Sequence, residues 1–149
     1  MPTAASASGN LASLRPRLVV RDGARALRFY AAAFEAEVQG ESVTGPNAEL
    51  IHAALRIGDA ELWITEDTMA SDAPAKSPPS LDGAVTSIMV AYWRDVETAW
   101  NRAVDAGAEV VYPLADQPYG ERGGRLRDPF GQQWMMSQQI DADRFDETP

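Results

Sequence analysis

The stretch Tyr119-Gly120-Glu121-Arg122-Gly123-Gly124-Arg125-Leu126-Arg127-Asp128-Pro129-Phe130-Gly131-Gln132-Gln133-Trp134-Met135-Met136 decides how the rest of the chain is read. Asp128-Pro129-Phe130-Gly131 has the composition of a tight turn. Proline presets φ at the second position, and glycine accepts a positive φ at the fourth. Residues 125–128 enter the turn as one strand and residues 133–137 leave it as another, so the segment predicts a hairpin. A counterpart stands in the first half of the chain, where Gly58-Asp59 separates a strand at 50–57 from one at 60–65. Gly131 holds the place of Gly58.

Working outward from the two hairpins, the halves repeat. In the first, residues 15–20 read as a strand, and Asp22 is placed to cap a helix running to about Phe34. Ala26, Leu27, Tyr30, Ala33 and Phe34 fall on one face of that helix. Strands follow at 37–43, 50–57 and 60–65, which makes a βαβββ unit. In the second half residues 86–93 read as a strand, and Arg94-Asp95 matches Arg21-Asp22. Val96, Ala99, Trp100, Ala103 and Val104 form the helical face, and Gly107 is placed to end the helix. Strands at 110–114, 125–128 and 133–137 complete a second βαβββ unit. An internal duplication of this period says more about fold than any single motif. The expected division is a disordered tail at 1–14, units at 15–66 and 84–138, a linker at 67–83 and an acidic tail at 139–149. Pro74, Pro78 and Pro79 in the linker argue against regular structure there, which leaves a plain tether or a flap over a site.

Composition narrows the function. A chain of 149 residues with 45% apolar residues suits one domain, or two small units sharing a core. A formal net charge of -9 argues against nucleic acid or an anionic membrane as partner. With no cysteine there is no disulfide, thiol chemistry or cysteine metal site, which fits a cytoplasmic protein. No apolar run reaches the roughly 20 residues of a membrane span. The first ten residues lack the basic start and apolar core of a secretory signal.

The paired βαβββ units, Val-Val-Arg-Asp-Gly-Ala-Arg-Ala-Leu-Arg-Phe-Tyr at 19–30 and Gly-x-Arg-x-x-Asp-Pro-Phe-Gly at 123–131 resemble the vicinal oxygen chelate superfamily. That group holds glyoxalases, extradiol dioxygenases, fosfomycin-modifying enzymes and bleomycin-resistance proteins. Ile51-His52-Ala53-Ala54-Leu55-Arg56-Ile57-Gly58-Asp59 and Tyr119-Gly120-Glu121-Arg122 are more similar to its PhnB-like branch. The resemblance covers about residues 15–138. It implies an α+β fold in which two βαβββ units form a curled mixed sheet with a central cup, a small molecule bound in the cup, and a homodimer.

Strand alternation then divides the side chains between two faces. Leu18, Val20, Leu62, Ile64, Met89, Ala91, Trp134 and Met136 suit the helix side. The cup side takes Arg15, Arg17 and Val19; Glu61, Trp63 and Thr65; Ile88, Val90 and Tyr92; and Gln133, Met135 and Ser137. Met69 and Tyr119 are placed at the rim, and Trp93 and Trp100 fall to the packing side. In metal-dependent members of the family, four cup positions carry His or Glu. Here the resemblance puts Arg15, Trp63, Ile88 and Met135 at those positions. Arginine, isoleucine and tryptophan do not ligate, and a lone thioether does not hold Zn, Ni, Mg or Mn. No metal or other cofactor is therefore expected.

The candidate ligand-binding set is Arg17, Trp63, Ile88, Val90, Tyr92, Tyr119, Arg122, Gln133 and Met135. Arg122, Arg125 and Arg127 form a basic trio suited to a carboxylate or phosphate, or to ion pairs with Glu121 and Asp128. His52, the lone histidine, and Glu61 on the neighbouring strand are the candidate catalytic bases. Two readings follow. One is a metal-independent protein that sequesters a hydrophobic or aromatic drug or metabolite, as the bleomycin-resistance proteins do. The other is a lyase- or isomerase-type enzyme of the same fold with His52 or Glu61 as base.

Overall fold

A computed structural model describes residues 9–67 and 75–140. The first half contains β1 (Arg17–Val20), α1 (Gly23–Phe34), β2 (Glu37–Thr44), β3 (Leu50–Ile57) and β4 (Ala60–Glu66). After a 3-10 turn at Pro78–Leu81 come β5 (Met89–Tyr92), α2 (Val96–Ala106), β6 (Glu109–Asp116), β7 (Glu121–Arg127) and β8 (Gln133–Gln139). The strands make two four-stranded mixed sheets, ordered β1-β4-β3-β2 and β5-β8-β7-β6. In each sheet the first strand runs parallel to the last, and the remaining pairings are antiparallel. This is the α+β architecture that the duplication predicts, with the same topology in both halves.

Both helices start on the expected aspartates. Asp22 accepts from the Arg25 backbone N at 3.1 Å. Asp95 accepts from the Thr98 N at 3.2 Å and the Thr98 hydroxyl at 2.7 Å. The Thr98 bonds hold the Asp95 carboxyl below its ordinary range. On α1 the buried face is Ala26, Phe29, Tyr30, Ala33 and Phe34. Phe29 takes the place expected of Leu27, which is only partly buried. The reason is tertiary: Phe29 meets Phe130 edge-on at 5.8 Å, so α1 packs on the second unit as well as on its own sheet.

Several strand limits differ from the sequence reading; β1, for example, begins at Arg17 rather than Arg15, and β8 runs on to Gln139. β5 begins at Met89 rather than Thr86, because its ladder with β8 opens at Met89 and Trp134. β7 begins at Glu121 rather than Arg125 and carries Gly123 and Gly124 inside it. Glycine reads as a strand breaker, but here it makes room: a Cβ on Gly124 would lie 2.7 Å from the Trp100 ring. Through that gap α2 seats its tryptophan on the sheet. β6 runs on to Asp116 through Pro113, which an edge strand tolerates.

The described part of the linker, residues 75–83, is more ordered than Pro78 and Pro79 suggest. Pro78 and Pro79 open the 3-10 turn, where a missing N–H costs nothing. The turn is tied down by Asp67, whose Oδ2 accepts from the Ser77 N, the Ser77 hydroxyl and the Ser80 hydroxyl at 2.9, 2.8 and 2.7 Å. Pro78 packs beside Gly131, whose φ of 91° confirms the turn read from the sequence.

A buried aromatic and carboxylate cluster joins the units. Asp128 sits under the β7–β8 turn and accepts from the Phe130 and Gln132 backbone N at 2.9 and 3.0 Å. Its other oxygen accepts from the Trp134 Nε1 at 3.0 Å and from the Tyr30 hydroxyl. Tyr30 belongs to the first unit, so this bond crosses between the halves. Burial, with Asp128 beside it, pushes the Tyr30 hydroxyl well above the ordinary tyrosine range. The sign of the linkage follows. Tyr30 contributes stability that is complete below the unfolded pKa of about 10 and is lost as pH rises through the higher folded value. Tyr30→Phe is expected to cost roughly 1–3 kcal/mol at neutral pH, since it leaves Asp128 one donor short. It should also flatten the fall in melting temperature above pH of about 10. Thermal melts from neutral to alkaline pH check both; a variant with the wild-type alkaline slope would refute the assignment.

Candidate ligand-binding face

Each sheet buries one parity against the helices and leaves the other open. Leu18, Val20, Ala53, Leu55, Leu62 and Ile64 are buried in the first sheet, and Leu126, Trp134 and Met136 in the second. Trp63, Glu61 and Thr65 alternate with that set and are half-buried on the open face. Ladder partners share a face, so Arg17, Trp63, Ala54 and Gln39 form one open row across β1, β4, β3 and β2. Val43 and His52 lie in the row on one side, and Arg56 and Glu61 in the row on the other.

Trp63 is the centre of that face. His52 meets its ring edge-on at 4.7 Å. Its Nε1 donates to Glu61 Oε1 at 2.9 Å, and the Arg15 guanidinium lies 5.9 Å from the ring centroid. Arg15 Nε also pairs with Glu61 Oε2 at 2.9 Å. The Trp63 hydrogen bond, reinforced by the Arg15 charge, holds the Glu61 carboxyl below its ordinary range. A carboxylate so stabilised is a weaker base. Glu61 and His52 stand two rows apart with Trp63 between them, so the structure does not bring the two candidate bases into contact.

On the second sheet Val90, Met135, Arg125 and Tyr112 form one open row across β5, β8, β7 and β6. Tyr92, Ser137, Gly123 and Ala115 form the next. The Tyr92 side chain reaches across β8 and donates to Glu121 Oε2 at 2.7 Å, which raises its pKa. Tyr119 lies in the turn between β6 and β7 and is exposed. Gln133 faces the same side, paired in register with Arg127, and Ile88 precedes β5. A groove of about 1060 Å³ runs between the units, lined among others by Arg15, Glu61, Leu62, Val90, Tyr92 and Trp93. It brings candidates from both halves to one cavity, while Trp63, Arg17, Gln133 and Met135 lie outside its lining. Met69 lies outside the described residues.

The basic trio separates. Arg122 has the parity of Leu126 and lies on the helix side, where its Nε donates to Glu97 Oε1 at 3.1 Å and its Nη1 to Asp116 Oδ1 at 3.0 Å. It is therefore not beside Met135 or Tyr92. Arg127 pairs with Glu109 at 3.8 Å. The expected pairs with Glu121 and Asp128 do not form, because Tyr92 engages Glu121 and the Tyr30–Trp134 cluster engages Asp128. Sequence reasoning missed Arg56 on the open face, and it placed Arg125 and Glu121 in the trio and its ion pairs rather than beside Met135 and Tyr92. The signal was alternation along β7 and β3, hidden in β7 by the glycines that seemed to delay its start.

The four positions at which the family resemblance implies metal ligands hold Arg15, Trp63, Ile88 and Met135, and these side chains do not make a donor set for a divalent metal. No group of three or more His, Cys, Asp or Glu suited to a metal occurs among the described residues. No helix among them is long and apolar enough to cross a membrane.

Fold and site geometry together define a protein of paired βαβββ units with one open face on each sheet. Residues 11–136 match the Glyoxalase/Bleomycin resistance protein/Dioxygenase superfamily, and the chain belongs to that family. It is 40% identical over 136 residues to the uncharacterised protein Mb0911c of Mycobacterium bovis, covering 91% of this chain and 88% of the relative. Among solved structures it resembles the product of Arabidopsis thaliana AT5G48480, with 25% identity, a TM-score of 0.64 and coverage of 85% of this chain and 98% of that one. It also resembles the PhnB protein of Bacillus cereus, with 16% identity, a TM-score of 0.63 and coverage of 85% and 98%.

Trp63 and Trp134 lie on β4 and β8, at opposite parity, and so should respond oppositely to truncation. Trp134→Ala removes a core ring and a donor to Asp128 and is expected to cost roughly 3–5 kcal/mol of stability. Trp63→Ala should leave the melting temperature nearly unchanged and weaken binding of an aromatic ligand roughly ten- to hundredfold. Paired thermal melts and fluorescence titrations separate the two effects.

Proposed function

We propose that the protein binds and sequesters a hydrophobic or aromatic small molecule without a catalytic metal, as a drug- or metabolite-binding member of its superfamily. The observation that carries this reading is the setting of Trp63. Its indole stands on the open face and is held in orientation by His52, Glu61 and Arg15 instead of being packed into the core. A fixed aromatic surface of this kind suits a planar ligand. Val90, Tyr92 and Tyr112, 56%, 60% and 59% exposed, supply apolar surface on the second sheet. Ile88, Met135 and Gln133 border it, with Tyr119 at the rim and Arg17 beside Trp63. We also propose that it works as a cytoplasmic homodimer, with neither nucleic acid nor membrane as partner.

A second reading, a metal-free lyase or isomerase, is favoured by one observation: His52 faces the open side against Trp63 rather than the core. In that case His52 rather than Glu61 is the base, since the Trp63 hydrogen bond and the Arg15 charge lower the Glu61 pKa and so make its carboxylate a weaker proton acceptor.

Native mass spectrometry with elemental analysis of protein purified from its own host tests the proposal. The expected result is a dimer that retains an organic molecule and has no stoichiometric Zn, Ni, Mn or Fe. A stoichiometric metal, lost on chelation together with an activity, would overturn it.

A further inference from the structure

We propose that Arg125 anchors a carboxylate of the ligand on the open face of the second sheet. The proposal deepens the small-molecule reading and rests on it. Arg125 lies in mid-β7, in register with Met135 on β8 and Tyr112 on β6. Its guanidinium carbon is 5.2 Å from the Tyr112 ring centroid, and its Nε is shut off from solvent with no hydrogen-bond partner. Among the described residues no carboxylate pairs with it, although the chain holds 22 acidic against 13 basic side chains.

The neighbouring acids are all engaged. Glu121 accepts from Tyr92, Asp128 from Tyr30 and Trp134, Glu109 faces Arg127, and Glu97 and Asp116 hold Arg122. The two flanking arginines are paired, and the one between them is not. A half-buried cation among apolar neighbours loses hydration without recovering it from a partner. An anion brought by the ligand repairs that deficit. The cation–π contact with Tyr112 restrains the guanidinium and leaves its terminal N–H groups for a carboxylate.

The surroundings select a monoanion. β7 lies between β8 and β6, so its backbone amides face two ladders and form no anion-binding nest. A phosphate dianion would meet one unpaired cation, since Arg127 on the same face is taken by Glu109, and no amide cradle. Val90, Met135 and the Tyr112 ring offer a largely apolar surface to the rest of the ligand, which makes it an aryl or alkyl carboxylate.

The test uses benzoate, acetate, benzamide and benzylamine as probes, read by the NMR shift of the Met135 methyl group and by sedimentation. Benzoate is expected to bind wild-type protein and to weaken as salt is added. Arg125→Gln should reduce its affinity at least about tenfold while the melting temperature holds or rises. Arg127→Gln should change affinity less than about twofold. If benzoate and benzamide bind equally well and Arg125→Gln changes neither, this inference fails while the aromatic-binding reading stands. If acetate binds as well as benzoate and both need Arg125, the anchor stands and the aromatic reading fails. If Arg125→Gln dissociates a dimer without affecting benzoate, the anion is a carboxylate of a second copy and the proposal is overturned. Binding of benzylamine alone, or the failure of every probe to shift Met135 at millimolar concentration, also overturns it.

Discussion

The buried carboxylate of Asp128 is the constraint on which the rest of the molecule depends. A carboxyl group removed from water needs several donors to remain in place. Asp128 has four: the backbone N–H groups of Phe130 and Gln132, the indole of Trp134 and the hydroxyl of Tyr30. The first two close the β7–β8 turn, the third fixes the core side of β8, and the fourth reaches over from α1. One side chain thus sets the turn, the face of the strand that leaves it, and the docking of one unit on the other. Burial raises the Asp128 pKa while these bonds lower it, so the site balances desolvation against hydrogen bonding.

Around this point the aromatic residues of α1 make a continuous contact with the second unit. Phe34 lies 4.6 Å from Trp134 and 5.6 Å from Trp93, and Tyr30 lies 6.0 Å from Phe130. α1 therefore serves both units, while α2 packs on its own sheet and on α1. With one face of each sheet committed to this shared core, the opposite face is free to carry Trp63 on one side and Arg125 on the other. The two open faces differ in chemistry. The first has an ion pair under an indole; the second has a guanidinium among apolar neighbours, with no carboxylate partner among the described residues.

Much of the fold was legible in the sequence because it rests on local rules. Asp22 and Asp95 announce the helix starts, Gly58 and Gly131 the turns, and strict alternation on β4 and β8 assigns Trp63 and Trp134 to opposite faces. What was not legible depends on contacts between distant residues. Phe29 replaced Leu27 in the core because Phe130 of the other unit lies against it. Gly124 could stay inside β7 because Trp100 fills its missing side chain. The partners of Arg122 come from α2 and β6, 25 and 6 residues away, and no pattern within β7 predicts them. The candidate site was legible as a set of faces, but not as the pairings that set which charges remain free.

The bond from Tyr30 to Asp128 also bears on the history of the chain. Two repeats that begin as equals are interchangeable, and either can be lost, swapped or reordered. Here the acceptor exists only in the second repeat, since the equivalent turn of the first is Gly58-Asp59, with no counterpart to the buried Asp128. The donor lies only on the helix of the first. The bond thus joins a donor from one half to an acceptor from the other, and the second half by itself would leave Asp128 one donor short. The symmetry of the two halves survives in the topology, while the chemistry at this contact differs between them.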